Sequence, residues 1–272
     1  MLHCQHCSAV KGVNDMQIRE NAKSLLLTYI AANHGLHLEE ARNTDMPHDE
    51  FLDDLLTREL EYRKDNRLKK RITAARFPYK KYLVDLDRSE YDKQTAKIIG
   101  TLSSLDFIRN KENLILIGNP GVGKSHLAIA LGIEACMQDM RVLFTSVPNL
   151  VIELREAMSL NQISVFRKKF EKFDLVILDE LGYVSFDKDG NEILFNLLSS
   201  RNDAGSIIIT TNLVFERWVE VFKDPILTGA LVDRLAHRAY VVDMSRDSYR
   251  IKETMKWLEE NIMKKDEKEA AK

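Results

Sequence analysis

Eight consecutive residues carry the strongest chemical signal in the chain. Gly118-Asn119-Pro120-Gly121-Val122-Gly123-Lys124-Ser125 matches the pattern G-x-x-x-x-G-K-[ST]. Glycines let a backbone turn tightly and aim several N–H groups at phosphate oxygens. A helix beginning near Gly123 adds the positive end of its dipole. Lys124 supplies a full charge to the β- and γ-phosphates of a nucleoside triphosphate, and the Ser125 hydroxyl suits Mg²⁺. His126 follows directly and completes the set expected to hold the nucleotide. A second signal is Leu175-Val176-Ile177-Leu178-Asp179-Glu180, an apolar run that delivers two carboxylates at its end. Asp179 is expected to hold Mg²⁺ through water, and Glu180 to polarise an attacking water. The second acid favours hydrolysis over binding alone.

Two weaker signals lie downstream. Asn212 ends the run Ile207-Ile208-Ile209-Thr210-Thr211. In a parallel sheet that tip sits beside the tip bearing Asp179, so Asn212 is a candidate for orienting the water. The stretch from Ala230 to Arg238 reads as a helix with Leu231 and Leu235 on one face. Arg234 and Arg238 lie one turn apart on another face. Such arginines are ordinarily solvated; the alternative is a finger that reaches the γ-phosphate of a neighbouring subunit.

These residues need a scaffold, and the apolar pattern describes one. Five short apolar runs alternate with helical stretches: Leu114–Ile117, Val142–Phe144, Leu175–Leu178, Ile207–Ile209 and Tyr240–Val242. Continuous runs separated by helices are the mark of a parallel sheet buried on both faces. An α/β core with a five-stranded parallel sheet is therefore expected. The glycine-rich loop sits in the required context, after the first run and before a helix over Ser125–Met137.

The N-terminal third reads differently. Ile18 to Ile30 predicts a helix that Asn33 and Gly35 stop. Pro47 marks the start of a second, in which Leu52, Leu56, Leu60, Leu68 and Ile72 form a stripe at helical spacing. Phe77-Pro78 ends it. Charge is strongly polarised here. Glu39–Asp54 holds seven acidic residues and one basic, while Leu55–Lys81 holds ten basic and three acidic. One reading is a solvated charged face. The sharper one is a DNA-backbone surface built from Arg63, Lys64, Arg67, Lys69, Lys70 and Arg71, with Phe77, Tyr79 and Tyr82 at its end. A second basic cluster, Arg167, Lys168 and Lys169, lies in an expected helix between the second and third apolar runs; it reads either as a solvent-facing amphipathic helix with Phe166, Phe170 and Phe173 inward or as a second DNA-facing surface. The expected organisation is an extension over 1–15, a small all-helical domain over 16–85, the nucleotide-binding domain over 86–263 and a charged tail over 264–272.

Composition excludes several classes. The 272 residues include 40 basic and 42 acidic ones, so the net charge of -2 argues against a uniformly basic coat protein for nucleic acid. No apolar stretch approaches the ~18 residues of a membrane span. No basic-then-apolar leader opens the chain. Three cysteines do not make a disulfide framework, which fits a cytoplasmic protein. His3, Cys4, His6 and Cys7 resemble half a zinc site. No second ligand pair at ordinary spacing completes it, with His34, His37 and His48 the nearest histidines.

The motif order now carries a family resemblance. The segment from Thr211-Asn212-Leu213 to Trp218 is followed by Phe222-Lys223-Asp224-Pro225, Leu231-Val232-Asp233-Arg234-Leu235 and Ser248-Tyr249-Arg250. Leu56-Thr57-Arg58-Glu59 and Ala74-Ala75-Arg76-Phe77-Pro78 precede them. The pattern resembles the IstB-like transposition helper ATPases, AAA+ proteins related to the DnaC-type helicase loaders, from about Ile18 to Glu260. The resemblance implies ATP and Mg²⁺ as ligands, with ATP held between subunits of a homo-oligomer on double-stranded DNA. It implies little sequence preference, and delivery of target DNA to a partner transposase. It also implies Asn212 as sensor 1, Arg234 as the arginine finger and Arg250 as sensor 2. Only 22 residues follow Arg250, too few for a full lid domain. A helicase loader, or a scaffold that binds ATP without hydrolysing it, would use much of the same machinery.

Overall fold

The computed structural model describes residues 15–86, 91–182, 188–201 and 204–245. It divides into two compact units between Lys70 and Arg71.

The N-terminal unit is helical. Helix α1 covers Asp15–Ser24, α2 covers Thr28–Thr44, and α3 covers His48–Ala74, crossing into the second unit. The expected single helix over Ile18–Ile30 is thus broken at Leu25–Leu27, and α2 runs on through Asn33 and Gly35. The cause lies about thirty residues away in sequence. The first N–H groups of a helix have no partner within it. Glu59 of α3 supplies one, with its Oε2 accepting from the Tyr29 N–H at 2.8 Å and the Ile30 N–H at 3.1 Å. Arg63 then donates to Glu59 Oε1 at 2.8 Å and to the Leu26 carbonyl at 2.6 Å. Leu26 itself turns with φ 59°. A small core of Ala22, Ile30, Ala31 and Leu55 closes the unit. The leucine stripe is a second correction: Leu52, Leu56 and Leu60 are exposed, and α3 instead buries Leu55 and Glu59. The polar latch, not the apolar period, sets which side of α3 faces inward.

Burial pushes the Glu59 carboxyl up, but Arg63 and the two backbone N–H groups outweigh it and hold it below the usual range. A carboxyl with a depressed folded pKa contributes stability above its unfolded pKa, about 4.3, and loses it as pH falls through the folded value. Glu59→Gln is therefore expected to lower the stability of this unit by about 1.5–3 kcal/mol at neutral pH. The deficit should shrink as the pH is taken below 4. Denaturant unfolding followed by circular dichroism at both pH values checks this, and equal midpoints for wild type and variant at pH 7 would refute the latch.

The second unit carries one parallel sheet of β1 (Asn113–Ile117), β2 (Val142–Ser146), β3 (Leu175–Leu181), β4 (Ser206–Thr211) and β5 (Ala239–Asp243), in the order β2-β3-β4-β1-β5. Helices α4 (Lys93–Leu102) and α5 (Asp106–Arg109) lead into β1. Then come α6 (Lys124–Met137), β2, α7 (Val147–Ser159), α8 (Ile163–Phe170) and β3. The chain continues through α9 (Lys188–Ser200), β4, α10 (Val219–Phe222), α11 (Pro225–Ala236) and β5. All five apolar runs became strands, and β1 and β4 are buried along their whole length. Strand β4 lies between β1 and β3. The glycine-rich loop after β1 and the acids at the end of β3 therefore share the carboxyl edge of the sheet, where ligands of open α/β sheets bind.

The segment after α3 belongs to this unit, ahead of the boundary expected at 85/86. It runs as a strap over the core. The Phe144 N–H donates to the Ala75 carbonyl at 2.8 Å. Arg76 donates to Glu153 at 2.7 Å, and the Phe77 ring packs 6.2 Å from that of Phe144. Phe77 also sits against Gly132 of α6, where an added Cβ would lie 2.9 Å from the ring. Among the described residues, no helix is long and apolar enough to cross a membrane.

Candidate active site

The loop from Gly118 to Ser125 joins β1 to α6. Gly123 caps α6 with φ 98°, a conformation that L side chains rarely adopt. Lys124 is buried, and its ammonium donates to the Gly118 carbonyl at 2.7 Å and the Asn119 carbonyl at 2.9 Å. Two carbonyl dipoles thus compensate a buried charge at the centre of the loop. Asn119 and Pro120 are exposed at its tip. The Val122 carbonyl accepts from the Tyr91 hydroxyl at 3.2 Å. The half-buried His126 ring lies 3.4 Å from the Tyr82 carbonyl of the strap, and burial lowers its pKa. Its side chain therefore faces the strap, leaving its main chain at the start of α6.

Asp179 and Ser125 meet directly. The Ser125 hydroxyl donates to Asp179 Oδ1 at 2.8 Å. Thr210 on β4 donates its hydroxyl proton to the same oxygen, and the Glu180 N–H donates to Thr210 Oγ1 at 3.1 Å. Ser125, Asp179 and Glu180 line one groove of about 630 Å³, together with Tyr79 and Asn149. A hydroxyl and a carboxylate in contact form a hard-oxygen donor set of the kind that suits Mg²⁺.

Asn212 follows β4, and its amide oxygen is buried without a hydrogen-bond partner among the described residues. A buried acceptor left unmatched costs about 1–3 kcal/mol, so the position favours a group that can donate to it. Gly182 shapes this spot. It has φ 108°, and a Cβ there would lie 2.7 Å from Leu213 and 3.1 Å from the Asn212 oxygen.

Arg234 stands apart from these residues. It is exposed on α11, with its guanidinium 5.1 Å over the Phe195 ring of α9, and it is not among the residues lining the groove of Asp179 and Glu180. Arg250 and the Cys4/Cys7 pair lie outside the described residues.

The expected DNA-facing cations differ in their surroundings. Arg63 is held by Glu59 and Leu26, and Arg71 is ion-paired with Asp139. Both already have ion-pair partners within the chain. Lys64, Arg67, Lys69 and Lys70 are exposed on α3. Arg167, Lys168 and Lys169 are exposed in the last turn of α8, where cations favour the helix dipole. Sequence reasoning missed what anchors α8. Arg201 is wholly buried and donates to the carbonyls of Phe170, Phe173 and Ser206 at 2.8, 2.6 and 3.2 Å. Burial lowers its pKa to about 10, so it remains a cation at neutral pH. A lone Arg in a loop-proximal helix end gives no sequence signal of this role.

Comparison with known proteins now decides the family. The family described as IstB-like ATP binding protein matches residues 20–256. The chain belongs to the IstB-like ATP-binding family. An insertion sequence IS21 protein of Pseudomonas aeruginosa, named for ATP binding, is 36% identical over 80% of this chain and 83% of its own length. An IS232 counterpart from Bacillus thuringiensis is 32% identical over 87% of this chain and 95% of its own. The fold is also found in solved replication proteins. A DNA replication initiation factor superposes with a TM-score of 0.53 at 20% identity, covering 66% of this chain and 54% of that one. AMPPCP-bound DnaA from Aquifex aeolicus gives 0.52 at 19%, covering 66% and 55%. The chain spans about half of each of those longer structures. This chain is thus an IstB-like ATP-binding protein with a P-loop α/β core.

Proposed function

We propose that this IstB-like ATPase assembles with copies of itself on double-stranded target DNA and delivers that DNA to a partner transposase. The observation that carries the reading is the pairing, in one chain, of an assembled Ser125–Asp179–Glu180 constellation with exposed basic turns on α3 and α8. The insertion-sequence names of the relatives support the transposition context.

In this reading the Gly118–Gly123 backbone, Lys124 and the His126 main chain hold the phosphates of ATP. Ser125 and Asp179 would hold Mg²⁺, which would supply charge neutralisation at the transferred group. Glu180 accepts a proton from the water whose oxygen bonds to the γ-phosphorus, while the bond to the β-phosphate oxygen breaks. Asn212 orients that water. Arg234 of a neighbouring subunit and Arg250 meet the developing charge.

DNA is gripped by Lys64, Arg67, Lys69 and Lys70 and by Arg167, Lys168 and Lys169. These are phosphate contacts, so sequence preference is weak. Neutralising about six phosphates predicts a slope near -5 for log affinity against log salt. Titration of labelled duplex DNA in the presence of ATP measures it, and a flat response would overturn the grip. The wider proposal is tested by a strand-transfer assay with the transposase encoded beside it. Addition of this protein and ATP is expected to raise strand transfer, and no change with the ATP-loaded protein would reject the delivery role.

A further inference from the structure

Strands β3 and β4 pair in register up to Leu178 and Ile209 and resume at Leu181 and Thr211. Three steps along β3 match two along β4, so β3 carries one surplus residue at Asp179-Glu180. Side chains alternate faces along a regular strand, and two adjacent acids would diverge. A bulge re-aims them, and here both line the same groove. The arrangement needs Glu180 in the left-handed region, at φ 66°. For a residue other than glycine that conformation costs about 1–2 kcal/mol, and it persists only when neighbours hold it.

The neighbour is Thr210, which lies opposite the bulge and is 2% exposed. A hydroxyl has one proton to give and lone pairs to accept. Thr210 gives its proton to Asp179 Oδ1 and accepts the Glu180 N–H. Ser125 reaches the same Asp179 oxygen. One chain of hydrogen bonds thus runs from Ser125 through Asp179 and Thr210 to the Glu180 backbone. We propose that Thr210 is a positioning residue for ATP hydrolysis, fixing where Glu180 stands relative to Asp179. The inference rests on the reading of Asp179 as the Mg²⁺-binding carboxylate and Glu180 as the base.

Thr210→Val keeps the shape and β-branching but removes both bonds, whereas Thr210→Ser keeps both. Loss of an outer hydrogen-bond partner commonly costs 10–100-fold in activity, and Thr210→Val is expected to lower kcat by about that factor. KM for ATP and affinity for a fluorescent ATP analogue should stay within about threefold, because Lys124 and the loop are untouched. Thr210→Ser should return kcat to within about threefold of wild type. Glu180→Gln is assayed in parallel on the full chain with duplex DNA. If Glu180→Gln loses turnover while Thr210→Val keeps it, the positioning role is wrong and the base assignment stands. If Glu180→Gln retains turnover, the underlying reading fails. Should Thr210→Val fail to bind the analogue, Thr210→Ala replaces it, and a serine variant no better than the alanine one overturns the proposal.

Discussion

Glu180→Gln is expected to lower steady-state ATP hydrolysis by ~10²–10⁴-fold, the usual worth of a positioned general base. Nucleotide affinity should stay close to wild type. The substitution is nearly isosteric, and the backbone N–H that meets Thr210 is unchanged, so the bulge is preserved. What is lost is a group able to take a proton from water. Lys124 and Ser125 remain to hold the nucleotide. The variant should therefore bind ATP, fail to turn it over, and stay longer on duplex DNA than wild type when ATP is present. A coupled assay for phosphate release measures the rate, and DNA dissociation measures the lifetime. Turnover within threefold of wild type would remove Glu180 from the chemistry.

The second large effect is that of Arg234. An arginine finger is worth ~10³–10⁵ in rate, and Arg234→Ala is expected to lose that much of the DNA-assembled activity. Its guanidinium rests on the Phe195 face, outside the groove of its own Asp179 and Glu180. An exposed cation–π contact is worth about 0.5–1 kcal/mol, little enough to be exchanged for a phosphate. On the proposed reading the residue serves a neighbouring copy. Mixing supplies the test. Lys124→Ala subunits have no working site but an intact finger, whereas Arg234→Ala subunits have the reverse. Each should be inactive alone, and mixing them on DNA should recover turnover. No recovery at any ratio would place Arg234 in its own site or in a structural role.

Some of this was legible in the sequence because its causes are local. A loop that cradles phosphate needs its glycines, lysine and serine in one contiguous run. A strand buried on both faces must be apolar throughout, so β1 and β4 could be read directly, whereas β5 is largely open to solvent and was legible only as an apolar run. The failures share the opposite property. The break between α1 and α2 is caused by Glu59, far along the chain, so Asn33 and Gly35 were false stops. The same latch turned the leucine stripe of α3 outward. The ion-pair partners of Arg63 and Arg71, Glu59 and Asp139, are likewise visible only after folding. The bulge at Glu180 is a matter of register between two strands, and a one-dimensional pattern does not encode register.

The seat of Phe77 on Gly132 has a consequence of its own. A Cβ added at Gly132 would lie 2.7 Å from Ile177 of β3 and 2.9 Å from the Phe77 ring. Ile177 is wholly buried in the sheet, so a methyl group at position 132 would act as a wedge, and the strap would be the side to lift. Helix α6 begins with Lys124 and Ser125, and the same strap carries the Tyr82 carbonyl that faces His126. The smallest side chain on the helix is thereby a gauge of fit between catalytic core and strap. It offers a handle on that fit that touches neither phosphate nor DNA.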